Sequence, residues 1–350
     1  MICAVIGGQF GSEGKGVIVS HLADRFQIHV RVGAPNAGHS IYHQGKIWKM
    51  RSVPCGWINP EAHLVIGIGA LIDMQLLKEE VYAIAAIDPT IWERLHVDVR
   101  AGVLSRKFRD FEGGVDGVMH RRIGSTGEGV GPARVARINR NPNEFKFFEE
   151  EMHDYSLGTL AMNDTSRYLD DMRRAGADIL LEGSQGVGLS LYHGDWPYVT
   201  SVDCGVAAMC SEIGIAPAHV SRVVCVFRTF PIRVAGNSGP MHNEITWEQL
   251  SQATGKQLIE RTTVTNKVRR IGEWDMELAK KAIRLNSPTS VALTFLDYVF
   301  PEEEGLTRWS DLTSMCQQWI RNWERKLGEV RTSLIGTGGT PWQVMDVGEL

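Results

Sequence analysis

Gly8-Gln9-Phe10-Gly11-Ser12-Glu13-Gly14-Lys15-Gly16 follows directly on the apolar run Ile2-Cys3-Ala4-Val5-Ile6, and this junction constrains the fold more than any other feature of the chain. A short buried strand that empties into closely spaced glycines and then a helix is the opening of a βα unit. The glycines let backbone N–H groups converge on an anion, the helix N-terminus adds partial positive charge, and Lys15 supplies a mobile cation. The segment reads as a phosphate loop, so nucleotide chemistry is the first expectation. The spacing departs from the common P-loop, because five residues separate Gly8 from Gly14 and Gly16 stands where Ser or Thr would hold magnesium. A generic kinase or ATPase is thereby disfavoured. A turn with glycines for tight packing alone is the bland alternative, against which Lys15 directly after Gly14 argues.

Further strand-like runs at 62–67, 179–183, 220–226 and 291–294 alternate with helical patterns at 16–25, 74–86, 165–175, 274–285 and 309–326. Continuous apolar strands separated by helices predict an α/β fold with a mainly parallel, doubly wound sheet, ligand loops lying at the carboxyl ends of its strands. Residues 1–350 are expected to form a single catalytic domain, since 43% hydrophobic content in 350 residues suffices for one large core. The Gly- and Arg-rich stretch 106–142 shows little periodicity and reads as long binding loops.

A formal charge of −4 provides no general polyanion-binding surface, so nucleic acid is not an expected partner. The six cysteines (Cys3, Cys55, Cys204, Cys210, Cys225 and Cys316) form no Cys-x-x-Cys pair and read as reduced core thiols. No basic leader or membrane-length apolar span is present, which predicts a cytoplasmic protein with no membrane partner.

Five ordered blocks carry a resemblance. They are the phosphate loop, Pro35-Asn36-Ala37-Gly38-His39-Ser40, Ile123 to Pro132, Glu182-Gly183-Ser184-Gln185-Gly186 with His193 to Ser201, and Thr263 to Gly272. Together they resemble the adenylosuccinate synthetases, carbon-nitrogen ligases that condense inosinate with L-aspartate after a nucleoside triphosphate activates the base oxygen. The resemblance implies Mg²⁺ as cofactor and a homodimer with shared active sites. The chain looks shorter than cellular members, the missing part falling mainly between the Gly131-Pro132 block and the strand before Glu182, and again near the C-terminus.

Departures from the family pattern bear on the substrate. Ser12 stands where the family carries an aspartate that takes the N1 proton of inosinate and helps bind magnesium. A serine hydroxyl keeps its proton at neutral pH and is a poor base. Its shorter side chain leaves room for the 2-amino group of guanine, a pattern similar to the phage-encoded branch of the family that converts dGMP to a succino-2-aminoadenylate for 2-aminoadenine DNA. The expected substrates are therefore dGMP and L-aspartate. An ordinary enzyme acting on IMP, or a catalytically silent nucleotide-binding regulator, are the alternatives. Phe295 replaces a base-recognising lysine ahead of Asp297, and Gly336 and Gly338 lie where a hydroxyl of the family is lost. These changes predict ATP or dATP, rather than GTP, as donor.

Residue roles follow from the resemblance. The catalytic set is Ser12, His39 as general acid, and Gln185, with Glu13 a rival base. The triphosphate site comprises Gly11, Ser12, Glu13, Gly14, Lys15, Gly16, Gly38, His39, Ser40, Phe295, Asp297, Gly336 and Gly338. Ser12 and the Gly38 carbonyl are the candidate magnesium ligands. The nucleotide acceptor set is Ser12, Asn36, Ser125, Thr126, Arg137, Gln185 and Thr200. Arg137, with Arg134 as rival, would reach across to the partner subunit. Thr263, Val264, Thr265, Lys267 and Arg269 would hold aspartate, Arg269 clamping its carboxylate.

Overall fold

The computed structural model describes residues 1–113, 117–262, 266–328 and 330–349. A ten-stranded sheet forms its centre, built in chain order from β1 (Ile2–Gly7), β2 (Ile28–Arg31), β3 (His63–Ile66), β4 (Leu95–Asp98), β5 (Ala161–Met162), β6 (Ile179–Glu182), β7 (Arg222–Arg228), β8 (Ser290–Thr294), β9 (Thr332–Gly336) and β10 (Val344–Asp346). The spatial order is β10-β9-β8-β7-β1-β6-β2-β3-β4-β5. Every pairing is parallel except β9 with β10. This is the expected mainly parallel α/β architecture.

The apolar run of β1 is continuous because both of its faces are covered. Cys3 and Val5 enter one apolar layer with Ile18, Val19 and Leu22 of the following helix and Leu77, Val81 and Ile84 of Met74–Ala85. Ile2, Ala4 and Ile6 point the other way, toward Leu169, Ile213, Ala279, Ala282, Ile320 and Trp323. Alternation of side chains along the strand thus feeds two cores. Each fully buried Ile or Leu contributes about 1.5–3 kcal/mol. Several helices begin where a side chain accepts from the first turn: Asp73 from Gln75 and Leu76, Asp164 from Arg167, Asp275 from Leu278 and Thr313 from Cys316, each cap worth about 1 kcal/mol.

The helices expected at 16–25, 274–285 and 309–326 are shorter than read. They run Lys15–His21, Met276–Asn286 and Ser314–Leu327, with separate 3-10 turns at Ala23–Arg25 and Trp309–Asp311. The reading of 106–142 as long loops requires correction. The chain there forms helices Arg106–Glu112, Val118–Ile123 and Val130–Asn139, separated by Gly113, Gly124 and Gly129 in left-handed conformation. They hid from periodicity because each spans at most three turns and buries few residues, Phe108, Val130, Ala133 and Ala136 packing on Leu71, Leu104 and Phe145.

β1 occupies the switch point of the sheet, with β7 on one side and β6 on the other. The close approach of β7 explains Gly8, where a Cβ would stand 2.2 Å from the Phe227 ring. A small antiparallel sheet (Ile232–Arg233, Arg270–Gly272, Glu244–Ile245), backed by Trp247 and Leu250, carries the segment before Gly272 back over the same end of the large sheet. The six cysteines are buried free thiols. Among the described residues, no helix is long and apolar enough to cross a membrane.

Candidate active site

The loops leaving β1, β2, β6 and β7 converge on one cavity of about 410 Å³. Of the residues singled out by sequence, Gly11, Ser12, Lys15, Asn36, Gly38, His39, Ser125, Thr126, Gln185, Thr200, Lys267 and Arg269 line it. Segments more than 250 residues apart in the chain, Ser12 and Arg269, meet there.

In the phosphate loop, Gly11, Ser12 and Gly14 have φ of 83°, 59° and 87°. Ser12 holds this conformation without being glycine, at a cost of about 1–3 kcal/mol. Glu13 turns inward and is fully buried; its Oε1 accepts from the amides of Gln9 (3.1 Å) and Gly11 (2.8 Å), and its Oε2 lies 2.6 Å from Lys15 Nζ. Lys15 Nζ also donates to the Gln185 carbonyl at 2.5 Å. Glu13 is therefore an anchor that shapes the loop and aims Lys15, which corrects its reading as a rival base: both of its oxygens are engaged away from the cavity. The Ser12 hydroxyl accepts from the Arg269 guanidinium, and its carbonyl accepts from Arg228 Nη1 at 3.1 Å.

His39 is 8% exposed, and its Nδ1–H donates to Glu182 Oε1 at 2.5 Å. Arg31 Nη1 stands 3.2 Å from the same oxygen, and the Cys55 amide donates to Glu182 Oε2 at 2.6 Å. Burial, then Arg31 and Lys15, push the imidazole down to about 4 against the pull of Glu182. Burial raises the Glu182 carboxyl, yet Arg31, His39 and the Cys55 amide outweigh it and hold the group ionised, at about 2. The ring is thus neutral in the free site, with Nδ1 protonated and Nε2 left as its second polar atom. Burial and the two cations oppose an imidazolium here. The ligand atoms of His39, Cys55 and Glu182 lie within 4.8 Å of one another. The short contacts of His39, Arg31 and the Cys55 amide to Glu182 join this cluster as a hydrogen-bonded network.

Across the cavity, Ser125 Oγ donates to Glu112 Oε1 at 2.5 Å, and His120 Nδ1–H donates to the Ser125 carbonyl at 2.6 Å. Lys267 Nζ donates to His120 Nε2 at 3.1 Å, joining this wall to the segment around Arg269. Arg233 is buried, its guanidinium 4.1 Å from the Phe10 ring centroid and donating to the Tyr198 carbonyl at 3.0 Å. Thr263, Val264 and Thr265 lie outside the described residues.

Glu13, Gly14, Gly16, Ser40, Phe295, Asp297, Gly336 and Gly338 do not line this cavity. Gly16 packs beneath Ser40, where a Cβ would stand 2.9 Å from the Ser40 carbonyl oxygen, and Gly14 faces Thr294 and Phe295. Phe295, with φ 57°, follows β8 and lies under the Arg228 guanidinium at 3.8 Å. Asp297 sits 3.8 Å from Lys256 and is raised to about 6 by burial, which Lys256 only partly offsets. Gly336 packs near Thr294, and Gly338 near the Gln343 side chain. Gly14, Phe295 and Gly336 thus meet around Thr294, apart from the cavity. Arg137 does not enter the cavity of its own chain; it donates to the Ile68 carbonyl at 3.2 Å beside the rings of Phe145 and Phe147. Arg134 is paired with Glu212 at 3.0 Å.

Sequence reasoning quoted Glu182 as part of a block without seeing its partner, and it missed Arg31, Glu112, His120, Arg228 and Arg233. The one available signal was charge inside apolar runs: Arg31, Glu182 and Arg228 each close a buried strand, and buried charges require partners.

The donor set bears on magnesium as well. Ser12 and Gly38 on the cavity wall offer only neutral oxygens, and the Ser12 hydroxyl already accepts from Arg269, which suits an ion carried by triphosphate oxygens and not a free dication.

Comparison with known proteins gives a consistent picture. The family profile described as Adenylosuccinate synthetase matches residues 4–154 and 143–304. The adenylosuccinate synthetase of Methanocaldococcus jannaschii is 38% identical over 346 residues, 98% of this chain and 96% of that protein. That of Pyrococcus sp. is 35% identical over 345 residues, 98% and 97% of the two chains. This coverage corrects the expectation of a shortened chain where these archaeal relatives are concerned. Among solved structures, the cyanophage S-2L succinoaminodeoxyadenylate synthetase, bound to dGMP and to dATP as an energy donor, has a TM-score of 0.82 and 28% identity, with 99% of this chain and 95% of that one covered. The fully ligated adenylosuccinate synthetase of Plasmodium falciparum shares the fold, with a TM-score of 0.86 at 20% identity and 99% of each chain covered.

Proposed function

The chain belongs to the adenylosuccinate synthetase family, whose members are carbon-nitrogen ligases joining a purine nucleotide to aspartate, and on that premise we propose that it condenses dGMP with L-aspartate at the expense of ATP or dATP. The observation that carries this reading is Ser12: a short, neutral hydroxyl on the cavity wall, held by Arg269, leaves the acceptor base room for a 2-amino group. The similarity to the cyanophage enzyme, with dGMP and dATP in its site, supports the same substrates.

In the proposed reaction guanine O6 attacks the γ-phosphorus as the N1 proton passes to a water at Ser12 or to a substrate phosphate, the bond to the β-phosphate oxygen breaks with the nucleoside diphosphate leaving, and a 6-phosphoryl base forms. Lys15, aimed by Glu13, neutralises the transferring group. The His39 ring, neutral in the free site, gains a proton as the anionic triphosphate approaches Nε2, and Glu182 on Nδ1 stabilises the imidazolium. The aspartate amine then attacks C6 and expels phosphate, which carries away the proton lost by the amine, with Arg269 and Lys267 orienting the aspartate carboxylates. Ser12 and the Gly38 carbonyl would hold Mg²⁺, which supplies charge neutralisation of the phosphates. Asn36, Thr126, Gln185 and Thr200 offer neutral donors and acceptors for the acceptor nucleotide.

Phe295, Asp297, Gly336 and Gly338 are proposed to receive the donor purine. Residues 1–350 are read as a single catalytic domain. A homodimer is proposed because Arg137 and Arg134 lie off their own cavity, consistent with service to a partner's. Aspartate-dependent phosphate release with ATP and magnesium, run on dGMP, GMP and IMP in parallel, tests the assignment; turnover of IMP alone would overturn it.

One observation favours a second reading, adenylate synthesis from IMP. Archaeal relatives bearing the name adenylosuccinate synthetase are 35–38% identical, above the 28% of the phage enzyme.

A further inference from the structure

Arg228 closes β7 and is entirely buried, with 0% exposure. Its backbone is clamped to the phosphate loop by the Gln9 side chain, which donates to the Arg228 carbonyl and accepts from its amide, both at 3.0 Å. Its guanidinium does three things at once. Nη1 donates to the Ser12 carbonyl at 3.1 Å, the plane lies 3.8 Å from the centroid of the Phe295 ring, and the fork pairs with Glu260, to which Tyr298 also donates at 3.1 Å. The Glu260 carbonyl in turn accepts from the amide of Arg269 at 2.9 Å.

Two of the residues it touches, Ser12 and Phe295, are non-glycine residues in left-handed conformation, with φ of 59° and 57°. Such conformations persist only where surrounding contacts over-determine them. Burying a charged pair also contributes little net stability compared with an apolar replacement. A buried arginine that spends its donors on a strained carbonyl, an aromatic face and the root of the Arg269 segment is therefore better placed to set geometry than to hold the fold.

We infer that Arg228 is a positioning residue that couples the two nucleotide subsites, so that a purine settling on Phe295 fixes the Ser12 turn presented to the acceptor base. Movement of the Phe295 ring shifts the guanidinium stacked on it. The same guanidinium holds the Ser12 carbonyl, so the turn follows. The inference rests on the functional reading above only in assigning Phe295 to the donor purine and Ser12 to the acceptor base.

Calorimetric titration of β,γ-methylene-ATP with magnesium, in the absence and presence of saturating dGMP, measures the coupling in the wild-type protein, Arg228→Met and Arg228→Lys. Wild-type protein is expected to bind the triphosphate on the order of 5–150-fold more tightly when the acceptor is present. In Arg228→Lys, which keeps a charge to pair with Glu260 but cannot serve carbonyl and ring together, that factor falls to about one. Arg228→Met is expected to lose the coupling too; if it does not fold, Arg228→Lys decides. Undiminished coupling in Arg228→Lys, or none in the wild type, overturns the inference. If turnover assays show IMP to be the acceptor, the dGMP assignment fails, and the same titration with IMP tests Arg228 independently.

Discussion

His39 and Glu182 stand 143 residues apart in the chain, yet their side chains meet at 2.5 Å in a buried cluster completed by Arg31 and Cys55. The carboxylate holds Nδ1, orients the ring, and is itself kept ionised by Arg31. Replacement Glu182→Gln leaves the Arg31 cation without its counter-charge, so a loss of about 3–5 kcal/mol is expected in chemical denaturation. An unchanged midpoint would show that the pair is not holding that end of the sheet.

The same pair dictates an acid limb of stability. The His39 value of about 4 in the fold lies below the ordinary 6.5, so the unfolded chain takes up this proton first and stability declines as pH falls from about 6.5 to about 4. The Glu182 value of about 2 lies below the ordinary 4.5, so its stabilisation is complete above about 4.5 and is lost from there toward about 2. Denaturation curves recorded between these limits should fall in two stages, and Glu182→Gln should remove the lower one.

Ser12 separates the two candidate acceptors. Ser12→Asp places a carboxylate against Arg269 and in the space required by a 2-amino group; guanylate turnover should drop by at least about tenfold and IMP turnover should rise. Ser12→Ala keeps the space and loses the oxygen that receives Arg269. Steady-state rates on dGMP and IMP check both variants, and full dGMP activity in Ser12→Ala would remove any chemical role for the hydroxyl.

Asp297 is raised to about 6 by burial, so below that pH it carries a proton. If the carboxylate accepts from the donor purine, the KM for ATP should climb as pH falls below about 6, while in Asp297→Asn it should be higher at neutral pH and flat across the range. Stability runs the opposite way: with a folded value above the ordinary 3.8, ionised Asp297 costs stability, and the fold should gain as pH drops from about 6 toward 3.8. A KM independent of pH in the wild type would place the purine elsewhere.

Arg269 touches Ser12 and faces the cavity. Its planar fork suits a carboxylate in a way that lysine does not match. Arg269→Lys should raise the KM for aspartate about tenfold or more, the loss of one charge-assisted hydrogen bond being worth about 1.5–3 kcal/mol. Initial rates at varied aspartate provide the check, and a rise confined to the KM of the nucleotides would assign Arg269 to them instead.

Much of this molecule was determined locally. The apolar runs at Ile2–Gly7, Ile179–Glu182 and Ser290–Thr294 became buried parallel strands because their composition tolerates cover on both faces, and the glycines after β1 mark a phosphate loop because only that backbone turns so tightly. The ordered motifs from Gly8 to Gly272 were enough for the family. Tertiary structure alone decided what the charges do. Glu13 faces inward to Lys15, His39 is held neutral by burial and two cations, and Arg228 bridges Ser12 and Phe295. The helices Arg106–Glu112 and Val130–Asn139 also emerged only on packing against Leu71 and Phe145. The physical reason is range: strand periodicity and turn chemistry act over a few residues, whereas these partners are brought together by sheet order across tens to hundreds of residues, where no local pattern records the distance.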